Sequence, residues 1–206
     1  MKLVFATHNK GKISEMKKIM AGLDIKILSA DDVGIKKEIK EDGQTFEENA
    51  LIKARFISNK KHVWSFADDS GVCIEALGCA PGIYSARWAR KRGSGGAHAS
   101  GNNIVKHTLQ VMKHIPKKYR GAWMETACAL VAPDKRHWVF TGKVHGTITL
   151  EPKGKFNAKL PYDVIFVPNG TRKTFAEMSG EKKNSLSHRG QALRELKKFL
   201  SEGVFK

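Results

Sequence analysis

The stretch Lys2–Leu28, KLVFATHNKGKISEMKKIMAGLDIKIL, decides the fold class. Leu3-Val4-Phe5-Ala6 is an apolar run, so Lys2–Ala6 reads as a buried strand. From Asn9 to Met20, the apolar residues Ile13, Met16, Ile19 and Met20 recur at helical spacing and predict a helix. Gly22 punctuates the chain, and Ile25–Leu28 reads as a second short strand. Strand, loop, helix and strand in that order open an α/β fold. The loop Thr7–Lys12 admits two readings. A helix start after a strand offers free backbone N–H groups and a favourable dipole to an anion. Thr7 and Asn9 could add hydrogen bonds there, and Lys10 or Lys12 charge. Equally, Thr7 or Asn9 caps the helix and the lysines face water. The loop is not a P-loop, because GxxxxGK[ST] occurs nowhere in the chain.

Working outward, Thr45 starts a second helix. Thr45 and Glu48 have the spacing of a capping box, and Phe46, Ala50, Ala54 and Ile57 form an apolar stripe. His62–Ala67 and Val72–Ala76 read as strands on either side of Asp68-Asp69-Ser70-Gly71. Asn102–Ile115 reads as a helix with Ile104, Thr108, Met112 and Ile115 on one face, ended by Pro116. Met124–Ala132, His137–Val144 and Thr147–Leu150 read as strands joined by Pro-Asp and His-Gly turns, and Val164–Val167 as one more. A last helix spans Ser187–Leu200, with Ala192, Leu193, Leu196, Phe199 and Leu200 facing inward. Arg90–Gly101, RKRGSGGAHASG, reads as a mobile surface loop.

With 206 residues, 41% hydrophobic and 28% charged, the composition is that of a soluble globular protein. No apolar run approaches the ~20 residues of a membrane span. MKLVFATHNK turns polar too soon for a signal peptide. The expectation is a cytoplasmic protein with no membrane partner. A net charge of +17 attracts polyanions. The basic residues are spread along the chain, however, and no nucleic-acid-binding motif accompanies them. Spread charge is more often a solvated surface than a nucleic-acid groove, so nucleic acid is not expected as the main ligand. Cys73, Cys79 and Cys128 make neither a disulfide framework nor a zinc pattern. Cys73 and Cys128 lie in apolar runs that bury thiols, and Cys79 lies in a loop.

Asp68 and Asp69 end an apolar run, where a carboxylate is costly unless a cation answers it. A divalent metal does so commonly, and Mg²⁺ needs only one or two carboxylates besides waters and substrate phosphates. An Asp-rich turn is the plain alternative. Glu41, just before the Thr45 helix, could complete such a site with Asp69, although acids there also suit the helix dipole. Lys53 alone reads as a solvated lysine. In EKKNSLSHRGQAL (Glu181–Leu193), an N-cap at Ser187 puts His188 and Arg189 in the first helical turn. Cations there oppose the dipole unless a ligand or a carboxylate answers them. A His beside an Arg can read a purine edge, or simply make a surface ion pair.

The stretches ATHNKGKISEM (Ala6–Met16), EDGQTFEENALIKA (Glu41–Ala54), ADDSGVCIEALGCAPGIYSAR (Ala67–Arg87) and EKKNSLSHRGQAL (Glu181–Leu193) follow one another over nearly the whole chain. In them the chain resembles the inosine/xanthosine triphosphate pyrophosphatase family. The resemblance implies an α/β fold: a long mixed twisted sheet with flanking helices, and two lobes around a central active-site cleft, within one domain spanning 1–206. It implies a homodimer and Mg²⁺-dependent hydrolysis of ITP, dITP and XTP to the monophosphate and pyrophosphate. By position, it implies that Thr7, Asn9 and Lys12 hold the triphosphate, with Lys10 beside them among the substrate-binding residues. Glu41 and Asp69 handle the metal, Asp68 supports the same site, and Asp69 is the base for the attacking water. Ser70 and Lys53 contact the substrate, Lys53 on its phosphates. Lys183, His188 and Arg189 recognise the base, and Arg87 adds a phosphate contact.

One segment departs from the family. A Gly-Gly-Phe-Gly-Tyr-Asp-Pro segment is usual there, and its Phe stacks on the purine. Here Tyr162 and Asp163 are kept, but Leu160 stands for the Phe, Pro161 for the next Gly and Val164 for the last Pro. Leu160 covers a base face without aromatic stacking, and Pro161 stiffens the loop and removes a backbone donor. Two alternatives follow: a pyrophosphatase of shifted nucleotide preference, or a basic nucleotide- or RNA-binding protein that keeps the fold without hydrolysis.

Overall fold

A computed structural model describes residues 2–89 and 99–203, and, within helix α1, all of Lys10 but its side chain. Strands β1 (Lys2–Phe5) and β2 (Lys26–Ser29) flank helix α1 (Lys10–Ile19), as the opening stretch predicts. The pattern then runs α2 (Phe46–Lys61), β3 (Ser65–Ile74), β4 (Pro81–Gly82), α3 (Gly101–Val111), β5 (Gly121–Val131), β6 (His137–Ile148) and β7 (Phe166–Pro168). Helices α4 (Gly180–Leu186) and α5 (His188–Ser201) follow. Hydrogen-bonded neighbours run β2-β1-β3-β5-β6-β7, with β4 pairing on β3. The sheet is mixed: β1 is parallel to β2 and β3, whereas β3–β4 and β6–β7 are antiparallel. The α/β class with a mixed sheet is as expected.

The chain forms two compact units. The first takes Met1–Asp69, Thr126–Gly142 and Arg189–Lys206. Its core gathers Leu3, Phe5, Met16, Met20, Phe66, Leu130, Leu193 and Leu196. Register places Phe5 opposite Phe66, and their rings stack with centroids 4.3 Å apart. The inward residues of α5 are those its helical spacing predicts: Ala192, Leu193, Leu196 and Leu200 are buried, with Phe199 packed against them. The second unit takes Ser70–Glu125 and Lys143–His188. Ile74, Ile104, Met112, Ile148, Phe166 and Phe175 lie in its core. Arg120, 1% exposed, is held there by main-chain carbonyls: its guanidinium donates to Met112, Ile148 and Thr149 at 2.7–2.9 Å.

Several elements differ from the sequence expectation: α3 ends at Val111 rather than Ile115, and Val164 closes a 3₁₀ turn instead of starting the strand Phe166–Pro168. Asp68–Gly71 is not a turn between strands, because β3 runs through it from Ser65 to Ile74. His145-Gly146 is likewise not a turn, since β6 continues to Ile148. Gly146 is needed there for close approach: a Cβ would strike the Val167 carbonyl and the Phe166 ring of β7. Helix α4, which the sequence reading passed over, is capped by Ser179 accepting from Lys182 N at 3.2 Å. Of the expected Arg90–Gly101 loop, residues 90–98 lie outside those described, and Gly101 already belongs to α3.

Candidate active site

The first unit holds a buried network of charges built on β3. Asp68 is 2% exposed. Lys12 Nζ donates to its two oxygens at 3.0 and 2.8 Å, and Arg189 Nε donates at 3.1 Å. Arg189 Nη1 also reaches Glu15 Oε2 at 3.4 Å. Burial opposes the charge on Asp68, but Lys12, Arg189 and Lys53 override it and hold the carboxyl well below the usual carboxylate range. Burial in turn lowers the pKa of Lys12; Asp68 works against that, and the neighbouring Arg189 and Lys53 add to it.

Lys53 projects from the buried face of α2. Its Nζ donates to Glu41 Oε1 and to the Asp68 carbonyl, both at 2.7 Å, and lies 3.8 Å from Asp69 Oδ1. Burial disfavours this ammonium, yet the charges of Asp69, Glu41 and Asp68 outweigh it and raise its pKa. Asp69 is pushed the other way from Asp68. Burial raises its pKa, Lys53 pulls it back, and Glu41 pushes it up again, for a net rise. Adjacent carboxylates whose proton affinities are driven apart are how a fold assigns one to structure and the other to acid–base work.

The turn between Glu41 and α2 is ordered locally. Thr45 caps α2 by accepting from Glu48 N at 3.1 Å. The Glu48 carboxylate accepts from Gln44 N at 2.6 Å, one residue short of the expected capping box. Asn49 Oδ1 accepts from Gly43 N at 2.9 Å. A Cβ on Gly43 would lie 2.9 Å from that oxygen, so glycine permits the close approach. At α1, Asn9 Oδ1 accepts from Gly11 N at 2.9 Å and Lys12 N at 3.3 Å, while Thr7 Oγ1 accepts from Asn9 N. Asn9 is therefore the helix cap, and Lys12 turns to Asp68 rather than to water.

Glu41 and Asp69 share one lysine, and the charge of Glu41 raises the proton affinity of Asp69. A divalent cation relieves such repulsion. Among the described residues, no group of three or more His, Cys, Asp or Glu is arranged to hold a metal. Two carboxylates still fit Mg²⁺, which completes its shell with waters and phosphate oxygens. Asp68 differs from them in that two cations already hold its carboxylate.

Most of the other expected residues lie in the second unit. Asp163 and Lys183 form an ion pair, with Lys183 Nζ 5.9 Å from the Phe175 ring centre. Tyr162 is buried and donates its hydroxyl to the Ser85 carbonyl at 3.0 Å; burial raises its pKa. Leu160 is half-buried and heads the 3₁₀ turn Pro161–Val164. Arg87 ends another such turn, 5.8 Å from the exposed Tyr84 ring. Ser70 is half-buried and His188 buried. Lys10 keeps its place at the start of α1, and its side chain lies outside the described residues. Arg189 stands with Asp68 and Glu15, so carboxylates answer its charge at the start of α5, and the pair is buried rather than on the surface. Sequence reasoning missed Glu15. The available signal was its place three residues after Lys12, on the same side of α1.

A family model described as "Ham1 family" matches residues 3–199. This chain belongs to the Ham1 family. It is 39% identical over 200 residues to a dITP/XTP pyrophosphatase of Thermoanaerobacter pseudethanolicus, covering 97% of this chain and 96% of that protein. It is 38% identical over 199 residues to the dITP/XTP pyrophosphatase of Bacillus subtilis, covering 96% of each. A HAM1 protein from Coxiella burnetii has a similar structure, with a TM-score of 0.87 at 33% identity, covering 98% of this chain and all of that one. A nucleoside-triphosphatase / dITP/XTP pyrophosphatase from Mycobacterium abscessus gives a TM-score of 0.76 at 37% identity, covering 95% of this chain and 98% of that one.

Proposed function

We propose that the chain hydrolyses the non-standard purine nucleotides ITP, dITP and XTP to the nucleoside monophosphate and pyrophosphate, with Mg²⁺. It is a nucleoside triphosphate pyrophosphohydrolase, a hydrolase acting on acid anhydrides. The observation that carries the reading is Lys53 set among Glu41, Asp69 and the Asp68 carbonyl, with the pKa of Asp69 raised. Forming a monophosphate and pyrophosphate requires water to attack the α-phosphorus while the bridging oxygen leaves with pyrophosphate. Asp69 takes the proton from that water, a role suited to a carboxylate of raised proton affinity. Lys53 holds Asp69 and Glu41 in place and offsets negative charge as the phosphate oxygens develop it. Asp68 keeps Lys12 and Arg189 fixed beside this centre. Glu41 and Asp69 would hold Mg²⁺, whose chemistry here is to neutralise phosphate charge. Thr7, Asn9 and the charge at the α1 start take the triphosphate, and Lys183, His188 and Arg189 take the base side. Homodimeric assembly and a cytoplasmic location belong to the same reading.

A second reading, a shifted base preference, is favoured by Leu160 and Pro161. The test is pyrophosphate release with Mg²⁺ across ITP, dITP, XTP, ATP, GTP, CTP, UTP and dUTP. Preference for ITP, dITP and XTP is expected. Preference for another nucleotide would establish the second reading, and no release from any of them would overturn both.

A further inference from the structure

Cys73 lies near the end of β3, and Cys79 lies six residues on, in the turn that leads back along β3 as β4. The turn is tight. The Cys79 N–H donates to the Ile74 carbonyl at 3.1 Å, the Ile74 N–H to the Ala80 carbonyl at 3.2 Å, and Cys73 sits opposite Pro81 in the ladder. The turn folds Cys79 back beside the Cys73 end of β3, and the Cys79 thiol is among the groups that raise the Cys73 pKa. They differ in access, since Cys73 is buried and Cys79 exposed. Cys79 also has φ 68°, directly after Gly78 at φ 60°. A side chain there bears steric cost that glycine avoids, and strain at a reactive group points to use. The third cysteine, Cys128, is buried in the other unit.

We propose that Cys73 and Cys79 are a redox pair that closes to an intrachain disulfide under peroxide. The chemistry balances with a peroxide as oxidant. The exposed Cys79 thiolate attacks hydrogen peroxide, breaks the O–O bond and becomes a sulfenic acid, releasing water once the leaving hydroxide is protonated. The Cys73 sulfur then attacks the Cys79 sulfur, forming the S–S bond and expelling a second water that carries away the Cys73 proton. The division of labour follows from environment. Burial pushes the Cys73 thiol up to about 11, so it is a poor first target for peroxide and serves as the resolving partner. The bond would tie the end of β3 to the turn before Ser85. The Ser85 hydroxyl accepts from Val72 N at 2.9 Å and donates to the Gly82 carbonyl at 2.6 Å.

The sequence makes the test direct. No Lys or Arg falls between Lys61 and Arg87, so trypsin leaves both cysteines on the single peptide His62–Arg87. The folded full-length chain is treated with a small excess of hydrogen peroxide. It is then denatured, its remaining thiols are alkylated, and the digest is weighed. The expected product is that peptide about 2 Da lighter than its unalkylated form, with neither cysteine alkylated and both restored to alkylation by dithiothreitol. In Cys73→Ser, the same treatment should leave Cys79 as sulfenic or sulfinic acid. Wild-type peptide carrying oxygen on Cys79 with Cys73 alkylated would overturn the pairing. So would chains joined to one another through Cys79, or both cysteines still alkylated.

Discussion

Replacing Asp68 with Asn removes the charge at the centre of the buried network while keeping its shape. Breaking a buried ion pair from one side costs about 3–5 kcal/mol, because the remaining charge is left uncompensated. Two features place this site at the low end. The Lys12 side chain is 21% exposed and can turn toward water, and Arg189 keeps Glu15 at 3.4 Å. The expected loss is therefore about 3 kcal/mol, which for a chain of this size lowers the melting temperature by about 6–12 °C. The assay is thermal unfolding of wild type and Asp68→Asn between pH 7 and pH 2. Because folding depresses the pKa of Asp68, its stabilisation is fully present above the ordinary Asp value of 3.8. It is lost as pH falls through the depressed value. The gap between the two proteins should thus stay constant from pH 7 to about 5 and narrow only below about 4. A melting temperature within about 2 °C of wild type at pH 7 would refute the network's role in holding the fold.

Three further outcomes are expected. Because folding raises the pKa of Asp69 above 3.8, the acidic limb of kcat/KM should lie above that of an ordinary aspartate. Lys53→Met, which removes the cation opposing that rise, should move the limb to still higher pH; a limb that stays put would separate Lys53 from the base. Leu160→Phe should lower KM for ITP by about tenfold if an aromatic stack is what the position lacks, since stacking is worth ~1–3 kcal/mol per base. An unchanged or higher KM would remove the position from base recognition.

Much of this was legible in the sequence. The apolar run before Thr7 and the helical spacing after Asn9 were enough for β1, α1 and the α/β class, because burial patterns are local. The buried aspartates were legible as a problem needing cations. Their solution was not, since Lys12, Lys53 and Arg189 come from three distant helices and only tertiary folding brings them to β3. The same cause hid the continuity of β3. Asp, Ser and Gly are turn formers, but paired charges allow them to continue a strand. Gly146 misled in the opposite way, since it reads as a turn and serves instead to admit β7. Glu15 escaped because its one local mark, the three-residue spacing from Lys12, is shared by many solvated acids on helices.

In the proposed mechanism Asp69 is the base, held by Lys53. That role is tested most directly by steady-state pyrophosphate release from dITP by wild type and Asp69→Asn at saturating Mg²⁺, with circular dichroism of both. A fall in kcat of about 10²-fold or more is expected, as for loss of a general base, with the fold intact. Turnover within about threefold of wild type would contradict it and remove Asp69 from the mechanism.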